Sequence, residues 1–397
     1  MLSKSDKMLD SFIDDELLLL EQSGLKRRLR LVQGAQGKRI TLDGRQVLNF
    51  CSNNYLGLAD DGRLKAAAVK AIDEEGWGSG ASRLICGNLT AHQALEKKLS
   101  QFKGTESALT FSTGYMANIG IISALFGRED MILSDKLNHA SIIDGILLSQ
   151  AQYRRYPHND MKALEAMLQS ATGFKKRVIM TDSVFSMDGD IAPLDTIVGL
   201  AEKYNCSVMI DEAHAFGVMG ANGKGLAEHF GVQEKIDIQM GTLSKAAGSF
   251  GAYVCGSQKL MDYLINHARS FIYTTGMPPA MAAASVQAID IIVSEPLLRA
   301  RLWQNTDYMR EALKKIGFNT MQTQTPIIPI LVKDSKLAVR FAEGLLEKGI
   351  FVSAIRPPTV PADTARLRLT VTAAHTRADM DCALEHLRET AKKLCLI

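Results

Sequence analysis

The sequence has few cysteines, and none of them stands at metal-ligand spacing from another. Six are scattered along 397 residues, at positions Cys51, Cys86, Cys206, Cys255, Cys382 and Cys395. Such a distribution fits a reducing compartment better than a disulfide framework. We therefore expect a cytoplasmic protein without a metal site.

Long apolar runs near the start and a strong charge of one sign are also lacking. The apolar run Leu17–Leu20 is shorter than the core of a signal peptide and far shorter than a membrane span. The formal net charge is only +3, and the basic cluster Lys26–Arg28 with Arg30 is too short for a nucleic-acid-binding arm. We expect neither a membrane nor a nucleic acid as partner.

What is present is an alternation of helix-length segments with short apolar runs. Hydrophobic residues make up 46% of the chain and charged residues 22%, as in an ordinary soluble enzyme. Buried-looking strands that alternate with helices predict a mainly parallel, doubly wound α/β sheet. The predicted strands of this sheet are Ala108–Phe111, Met131–Leu133, Val178–Thr181, Ser207–Ile210, Ile236–Met240 and Ala252–Cys255.

The pattern changes near Ser294–Pro296, where a long helical segment, about Leu298–Ile316, begins a region of mixed helices and strands. A helix is also predicted over Asp6–Gln22. We expect an N-terminal helix and arm over residues 1–50, a large α/β domain over 51–295 and a smaller α+β domain over 296–397.

Polar residues follow four of the apolar runs, namely Gly114-Tyr115, Asp182–Ser186, Asp211–His214 and Thr242–Lys245. In open α/β sheets ligands bind at the carboxyl ends of the strands. This shared placement predicts that the four segments form one binding site.

Asp211 and Lys245 suggest the chemistry of that site. A carboxylate at the end of a buried strand is unfavourable unless it meets a cation, and a protonated pyridine nitrogen would be one. Lys245, in a Ser/Gly/Ala-rich setting, could be desolvated enough to act as an amine nucleophile and base. Taken singly, Asp211 could instead cap a helix, and Lys245 could be an exposed loop lysine.

Four further segments allow two interpretations each. The turn Ser112–Tyr115 before a helix could bind a phosphate or be only a tight connection. His139 could stack on a flat ring or be structural, and His214 could bond a phenolic oxygen or be unrelated to Asp211. Arg368 could clamp a carboxylate or lie on the solvent face of a strand.

Six strings of the chain resemble the α-oxoamine synthases, which are fold type I enzymes dependent on pyridoxal 5′-phosphate (PLP). These enzymes condense an amino acid with an acyl thioester. The resemblance runs from about Asn49 to the last helix, and Glu212, where several relatives carry aspartate, is its one small departure. The strings are Asn53–Leu58, Gly78–Arg83, Asn138–Ser141, Phe185–Gly189, Asp211–His214 and Thr242–Lys245.

Within the family, Thr274–Pro279, Ile355–Pro361 and Thr364–Thr370 resemble the member that acts in biotin biosynthesis. That member condenses L-alanine with a pimeloyl thioester carried by coenzyme A or an acyl-carrier protein. A sister synthase that uses glycine, a PLP aminotransferase and an inactive scaffold subunit of a heterodimeric synthase are the alternatives.

The resemblance also implies roles for individual residues. Lys245 would hold PLP as a Schiff base, Asp211 would pair with the pyridinium nitrogen, and His139 would stack on the ring as the third catalytic residue. Other cofactor contacts would come from Gly114, Tyr115, Ser186, His214, Thr242 and, across an obligate homodimer with shared sites, Thr274. The substrates would meet His139, Asn53, Arg368, Thr359 and, from the cluster Lys26–Arg28, Arg27.

Overall fold

The computed structural model describes residues 8–397; the first two residues of the predicted helix, Asp6 and Lys7, lie outside this range. The N-terminal part contains one helix, a small antiparallel ribbon and two more helices. Its elements are α1 (Met8–Gln22), β1 (Val32–Gln33), β2 (Arg39–Leu42), β3 (Arg45–Asn49), α2 (Gly62–Glu75) and α3 (Thr90–Lys103).

A seven-stranded sheet occupies the middle of the chain. Its elements are β4 (Ser107–Phe111), α4 (Gly114–Leu125), β5 (Met131–Asp135), α5 (Ala140–Ser149), β6 (Gln152–Tyr156), α6 (Met161–Ser170), β7 (Arg177–Asp182), α7 (Leu194–Tyr204), β8 (Ser207–Asp211), α8 (Leu226–Phe230), β9 (Ile238–Thr242), β10 (Ala252–Gly256), α9 (Gln258–His267), α10 (Arg269–Ile272) and α11 (Pro279–Ser294).

The strand order is β4-β10-β9-β8-β7-β5-β6, and only β10 runs antiparallel to its neighbours. All the other strands therefore end at the same edge of the sheet. The interior strands are apolar runs because helices cover both faces, and two separate buried clusters fill the two sides.

The C-terminal part has its own three-stranded sheet and core. Its elements are α12 (Pro296–Ile316), β11 (Ile327–Lys333), α13 (Ser335–Glu347), β12 (Ile350–Phe351), β13 (Ser353–Ile355), β14 (Ala365–Thr370) and α14 (Arg377–Lys393).

The N-terminal ribbon packs on this C-terminal part. Strand β3 pairs in parallel with β12, and Leu48 and Phe50 belong to the C-terminal core. The division of the chain at residues 50/51 and 295/296 remains a prediction. Among residues 8–397 no single helix is long and apolar enough to cross a membrane, although α11 and α12, bent by 75°, pass that test jointly by length and composition.

The predicted elements of the large sheet are confirmed with two corrections. The strand predicted at Ile236–Met240 lies at Ile238–Thr242, because a short 3₁₀ turn over Gln233–Lys235 extends the preceding connection. Strand β6 was missed. It lies at the edge of the sheet and most of its residues are exposed, so it carries no apolar run that would reveal it.

A charged histidine ties the end of β5 to the loop that follows β7. His158 Nδ1 lies 3.0 Å from Asp135 Oδ1, and its Nε2 lies 2.8 Å from Asp190 Oδ2. Burial of the ring lowers its pKa, but the hydrogen bonds to the two carboxylates outweigh burial and raise the pKa of His158 to about 10. The imidazolium therefore holds two parts of the sheet edge together at neutral pH.

We expect His158→Gln to lower the free energy of unfolding by about 1.5–3 kcal/mol at pH 6, the usual value of hydrogen bonds to charged groups. The raised pKa means that this stabilisation is complete below the unfolded-state pKa of about 6.5 and is lost as pH rises through the folded value. Urea unfolding at pH 6, 8 and 9.5 measures it, with exposed His229→Gln as control. If His158→Gln lowers the free energy of unfolding by the same amount at all three pH values, His158 is not stabilised as an imidazolium by the two carboxylates.

Candidate active site

The carboxyl ends of β4, β5, β7, β8 and β9 surround a cavity of about 180 Å³. Every residue predicted to contact the cofactor lines it, except Thr274. The lining residues are Gly114, Tyr115, Asn118, His139, Ser141, Asp182, Ser186, Asp211, Ala213, His214, Met240, Thr242, Ser244 and Lys245.

Lys245 lies in the turn after β9, with its amine in the cavity and not on an exposed loop. Its Nζ is 2.9 Å from His214 Nε2. Burial lowers the pKa of Lys245 to about 8, and the positive charge of Arg368 adds to this, while Asp211 and Asp182 oppose it. This amine therefore loses its proton at a lower pH than an ordinary lysine does.

His214 connects Lys245 to a buried tyrosine. Its Nδ1 lies 2.7 Å from the hydroxyl of Tyr55, which is almost fully buried. Burial, together with the charge of Lys245, lowers the pKa of His214 well below its ordinary value, so the imidazole is neutral. Sequence reasoning gave Tyr55 no role, although it lies inside a string that carried the resemblance.

Asp211 is a buried carboxylate at the end of β8 and does not cap a helix. Its Oδ1 accepts a hydrogen bond from the Ala213 N–H at 2.8 Å, and its Oδ2 accepts one from Asn118 Nδ2 at 2.8 Å. No lysine, arginine or histidine of residues 8–397 forms an ion pair with it, although only 5% of Asp211 is exposed. A carboxylate so placed fits a protonated ring nitrogen.

His139 stands at the start of α5, beside the cavity. Its backbone N–H donates to Asp182 Oδ2 at 2.8 Å, and its ring Nδ1 lies 2.7 Å from Ser141 Oγ. Burial lowers the pKa of His139. Asp182 itself has a pKa well above the ordinary range because it is buried and lies near Asp211.

The opposite side of the cavity offers groups that suit a phosphate. Thr113 caps α4 by accepting from the Met116 N–H, so Gly114 and Tyr115, which line the cavity, form the N-terminus of a helix just after β4. The hydroxyls of Thr242 and Ser244 lie 2.8 Å apart at the end of β9.

Arg368 brings the C-terminal sheet to the site and is buried, so the interpretation of a solvent-facing strand arginine is wrong. Its Nε donates to the Ser186 carbonyl at 2.6 Å, and one Nη donates to Asn53 Oδ1 at 3.0 Å. None of the carboxylates within the described range pairs with it. The two residues predicted to hold the substrate carboxylate, Asn53 and Arg368, are therefore in contact.

Arg27 and Thr359, the two residues predicted to meet the acyl substrate, also touch. Arg27 Nη2 donates to Thr359 Oγ1 at 3.1 Å across 332 positions of sequence. Arg28 instead points outward, with 79% of its side chain exposed. Thr274 lies in a different cleft, lined also by Arg83 and Phe271, so it is outside the Lys245 cavity of its own chain.

The aminotransferase class I and II model matches residues 45–387. A protein of Geobacter sulfurreducens named 8-amino-7-oxononanoate synthase is 51% identical over 387 residues, which are 97% of this chain and 99% of that protein. The chain belongs to the 8-amino-7-oxononanoate synthase family. Other relatives with this name are 45% to 52% identical over nearly the whole length.

Solved structures agree with membership of the 8-amino-7-oxononanoate synthase family. A serine palmitoyltransferase (SPT) with PLP superposes with a TM-score of 0.93 at 31% identity and covers 98% of this chain and 100% of its own. An 8-amino-7-oxononanoate synthase from Francisella tularensis, 34% identical, superposes with a TM-score of 0.77. The match covers 87% of this chain and 98% of that chain.

The enzyme is a PLP-dependent acyltransferase of fold type I, and the predicted family, fold class and cofactor are confirmed. The cavity fits the cofactor independently of these likenesses. It combines a lysine amine of lowered pKa, a buried carboxylate with neutral donors only, and a helix N-terminus beside hydroxyls.

We expect Lys245 to titrate near pH 8 in the cofactor-free protein, because burial disfavours its charged form. NMR of ¹³Cε-labelled lysine across pH 6.5–11 measures the midpoint, and Lys245→Arg assigns the signal. Arg368→Gln should raise the midpoint, since the guanidinium charge lowers it. A midpoint above 10 for the wild type contradicts this description of the site.

Proposed function

We propose that this enzyme condenses L-alanine with a pimeloyl thioester and releases carbon dioxide and the free thiol, giving 8-amino-7-oxononanoate for biotin biosynthesis. The observation that carries the proposal is one cavity in which an amine of lowered pKa, Lys245, and the buried carboxylate of Asp211 lie together. The guanidinium of Arg368 donates to the carbonyl of Ser186, which lines this cavity, and it pairs with no carboxylate of residues 8–397. The named relatives support the identity of the product.

When bound, PLP supplies an aldehyde that captures an amine and a protonated ring that withdraws electrons from the α-carbon of the amino acid. Lys245 would hold it through the amine, Asp211 would keep the ring nitrogen protonated, and His139 would lie on the ring face. Ser186 and His214 would contact the ring oxygen, and Gly114, Tyr115 and Thr242 would contact the phosphate end.

Lys245 would then act as the base and acid of the reaction. An amine with a pKa of about 8 can remove the α-proton of the bound amino acid near neutral pH and return a proton later. His214, neutral and 2.9 Å away, orients the amine without adding charge next to it.

Arg368 and Asn53 would hold the carboxylate of L-alanine. The guanidinium is fixed on three sides, by Ser186 O, Asn53 Oδ1 and Thr370 Oγ1. Since these are all neutral acceptors, its charge remains available for a carboxylate. This carboxylate is the group lost as carbon dioxide, so its position relative to the α-carbon matters for the reaction.

Arg27 and Thr359 would meet the acyl substrate. A pimeloyl chain can carry a free carboxylate at its far end, and such a charge needs a cationic partner when it leaves water. Arg27 is the member of the basic cluster whose side chain reaches Thr359.

The enzyme would work as a cytoplasmic homodimer with shared sites, in which Thr274 of one subunit contacts the cofactor phosphate of the other. The location of Thr274 outside its own chain's Lys245 cavity supports this arrangement. The thioester would be carried by coenzyme A or by an acyl-carrier protein.

A sister synthase that uses glycine is the second candidate, because the carboxylate-binding pair Asn53 and Arg368 would serve any α-amino acid. An inactive scaffold subunit is disfavoured, since Lys245, Asp211, His139 and His214 are all present in one cavity.

The function is tested by measuring carbon dioxide release with L-alanine, glycine and L-serine, each with pimeloyl-CoA and a pimeloyl acyl-carrier protein. We expect 8-amino-7-oxononanoate from L-alanine only, and none from Lys245→Ala, which lacks the amine that holds the cofactor. Faster turnover of glycine would identify the sister synthase, and no turnover of any pair would favour the scaffold.

We expect Arg27→Ala to lower kcat/KM for pimeloyl-CoA by about tenfold or more. This is the effect of losing one charge-assisted contact of about 1.5–3 kcal/mol. An uncharged acyl-CoA of equal length, or a pimeloyl donor esterified at its far end, should be unaffected. Arg28→Ala is the matched control, because Arg28 is exposed and makes only a 4.0 Å contact with Glu21. Equal losses with charged and uncharged donors would show that Arg27 does not bind the carboxylate.

A further inference from the structure

We propose that Asn118 is a positioning residue that acts on two members of the site together. It holds the carboxylate of Asp211 and, through Ser141, keeps the neutral ring of His139 protonated on Nε2. The inference deepens the proposed function and rests on it for its effect on catalysis. The part of the inference that concerns the tautomer of His139 involves only residues of this chain and can be tested without the cofactor.

Asn118 lies on α4, one turn after Gly114, and only 1% of it is exposed. Its Nδ2 lies 2.8 Å from Asp211 Oδ2 and 2.9 Å from Ser141 Oγ. A primary amide has two N–H donors, so these contacts use both of them. The single side chain therefore joins the end of β8 to the start of α5.

Asp211 fixes which way the amide points. If the amide were turned over, its oxygen would lie against the Asp211 carboxylate, and two acceptors would face each other without a proton. In the orientation observed, Asn118 Oδ1 is buried and has no hydrogen-bond partner among the described residues. An asparagine that served only packing would not leave its oxygen unsatisfied, because that is unfavourable. Asn118 is thus placed for its two donors.

The donor from Asn118 determines the direction of the next hydrogen bond. Since Ser141 Oγ accepts from Asn118, its own proton is free for its other neighbour, His139 Nδ1, at 2.7 Å. The Ser141 backbone N–H also points at Nδ1, at 3.2 Å. With two donors facing Nδ1, that nitrogen must be the acceptor, and the proton of the neutral imidazole lies on Nε2.

Burial, more than the surrounding charges, favours this neutral ring. Burial lowers the pKa of His139, and Lys245 lowers it further, while Asp211 and Asp144 act in the opposite direction. Asp182, which accepts from the His139 backbone N–H, also faces this region.

The same amide holds the Asp211 carboxylate in place. Each carboxylate oxygen accepts one donor, from Ala213 N–H and from Asn118, which leaves further lone pairs for a cation. Asn118 therefore helps to fix the Asp211 carboxylate where the ring nitrogen of the cofactor would meet it.

Asn118→Asp tests the proposal because it keeps the shape and reverses one hydrogen bond. A protonated carboxyl at this position donates its one proton to Asp211 and accepts the Ser141 hydroxyl proton, so Ser141 Oγ then faces His139 Nδ1 as an acceptor. Only the Ser141 backbone N–H still donates to Nδ1, so the preference for Nε2–H should weaken. Long-range ¹H–¹⁵N NMR of ¹⁵N-histidine in the cofactor-free protein distinguishes the two tautomers directly. We expect Nε2–H alone in the wild type and a measurable share of Nδ1–H in Asn118→Asp.

Ser141→Ala separates the two contacts of the amide, because it removes the hydroxyl that faces His139 and leaves the Asn118–Asp211 bond in place. The backbone N–H of residue 141 still faces Nδ1 in this variant, so we expect mainly Nε2–H with a smaller share of Nδ1–H than in Asn118→Asp. Thr306→Val, which removes a buried hydroxyl from α12 far along the chain, controls for lost stability and should keep the wild-type tautomer. The proposal is overturned if His139 of the wild type carries its proton on Nδ1. It is also overturned if neither Asn118→Asp nor Ser141→Ala changes the tautomer of His139. If Asn118→Asp does not fold, the result with Ser141→Ala decides.

Steady-state kinetics of the PLP-loaded enzyme gives the second measurement. Asn118→Asp should lower kcat at least about tenfold with a smaller change in KM for L-alanine, because the disturbed group lies at the ring nitrogen and not at Arg368. Ser141→Ala should lower kcat less, since Asp211 keeps its donor. Equal kcat losses in the two variants would contradict the contact with Asp211. A wild type that does not use L-alanine would refute the proposed function and leave the tautomer result intact.

Discussion

The burial of Asp211 at the end of β8 is the constraint on which the rest of the site depends. The next residue, Glu212, is also buried, but it forms an ion pair with Lys103, which is itself buried. Asp211 has only neutral donors within the described range. Two adjacent carboxylates thus have different partners: Glu212 has a buried cation, and Asp211 has neutral donors that suit its proposed pairing with a protonated ring nitrogen.

The positive charges near Asp211 follow from the same constraint. Asp182 lies opposite Asp211 in the register of β7 and β8, so two carboxyl groups end neighbouring strands. Their proximity and burial raise the pKa of Asp182. Burial lowers the pKa of the Lys245 amine to about 8, and the charge of Arg368 adds to this, while Asp211 and Asp182 oppose it.

The loop after β7 transmits the packing of the C-terminal part to the cavity. Arg366, almost fully buried, pairs with Asp188 at 2.7 Å, and Arg368 donates to the carbonyl of Ser186 in the same loop. His158 holds Asp190 from the other side. Ion pairs of Arg366 and His158 therefore fix the loop, and the arginine proposed to bind the substrate, Arg368, is positioned by its hydrogen bond to that loop.

The sequence alone determined the alternation of apolar runs and helices, because burial on both faces requires nearly continuous apolar strands. It also determined that polar residues such as Asp211 and Lys245 follow those strands, and its strings determined the family. It did not reveal the contact of Asn118 with Asp211, because Asn118 is a single polar residue in an otherwise apolar helical segment. It also did not reveal the contact of Arg27 with Thr359. Those contacts span 93 and 332 positions, and only the strand order and the packing of the two cores bring such residues together.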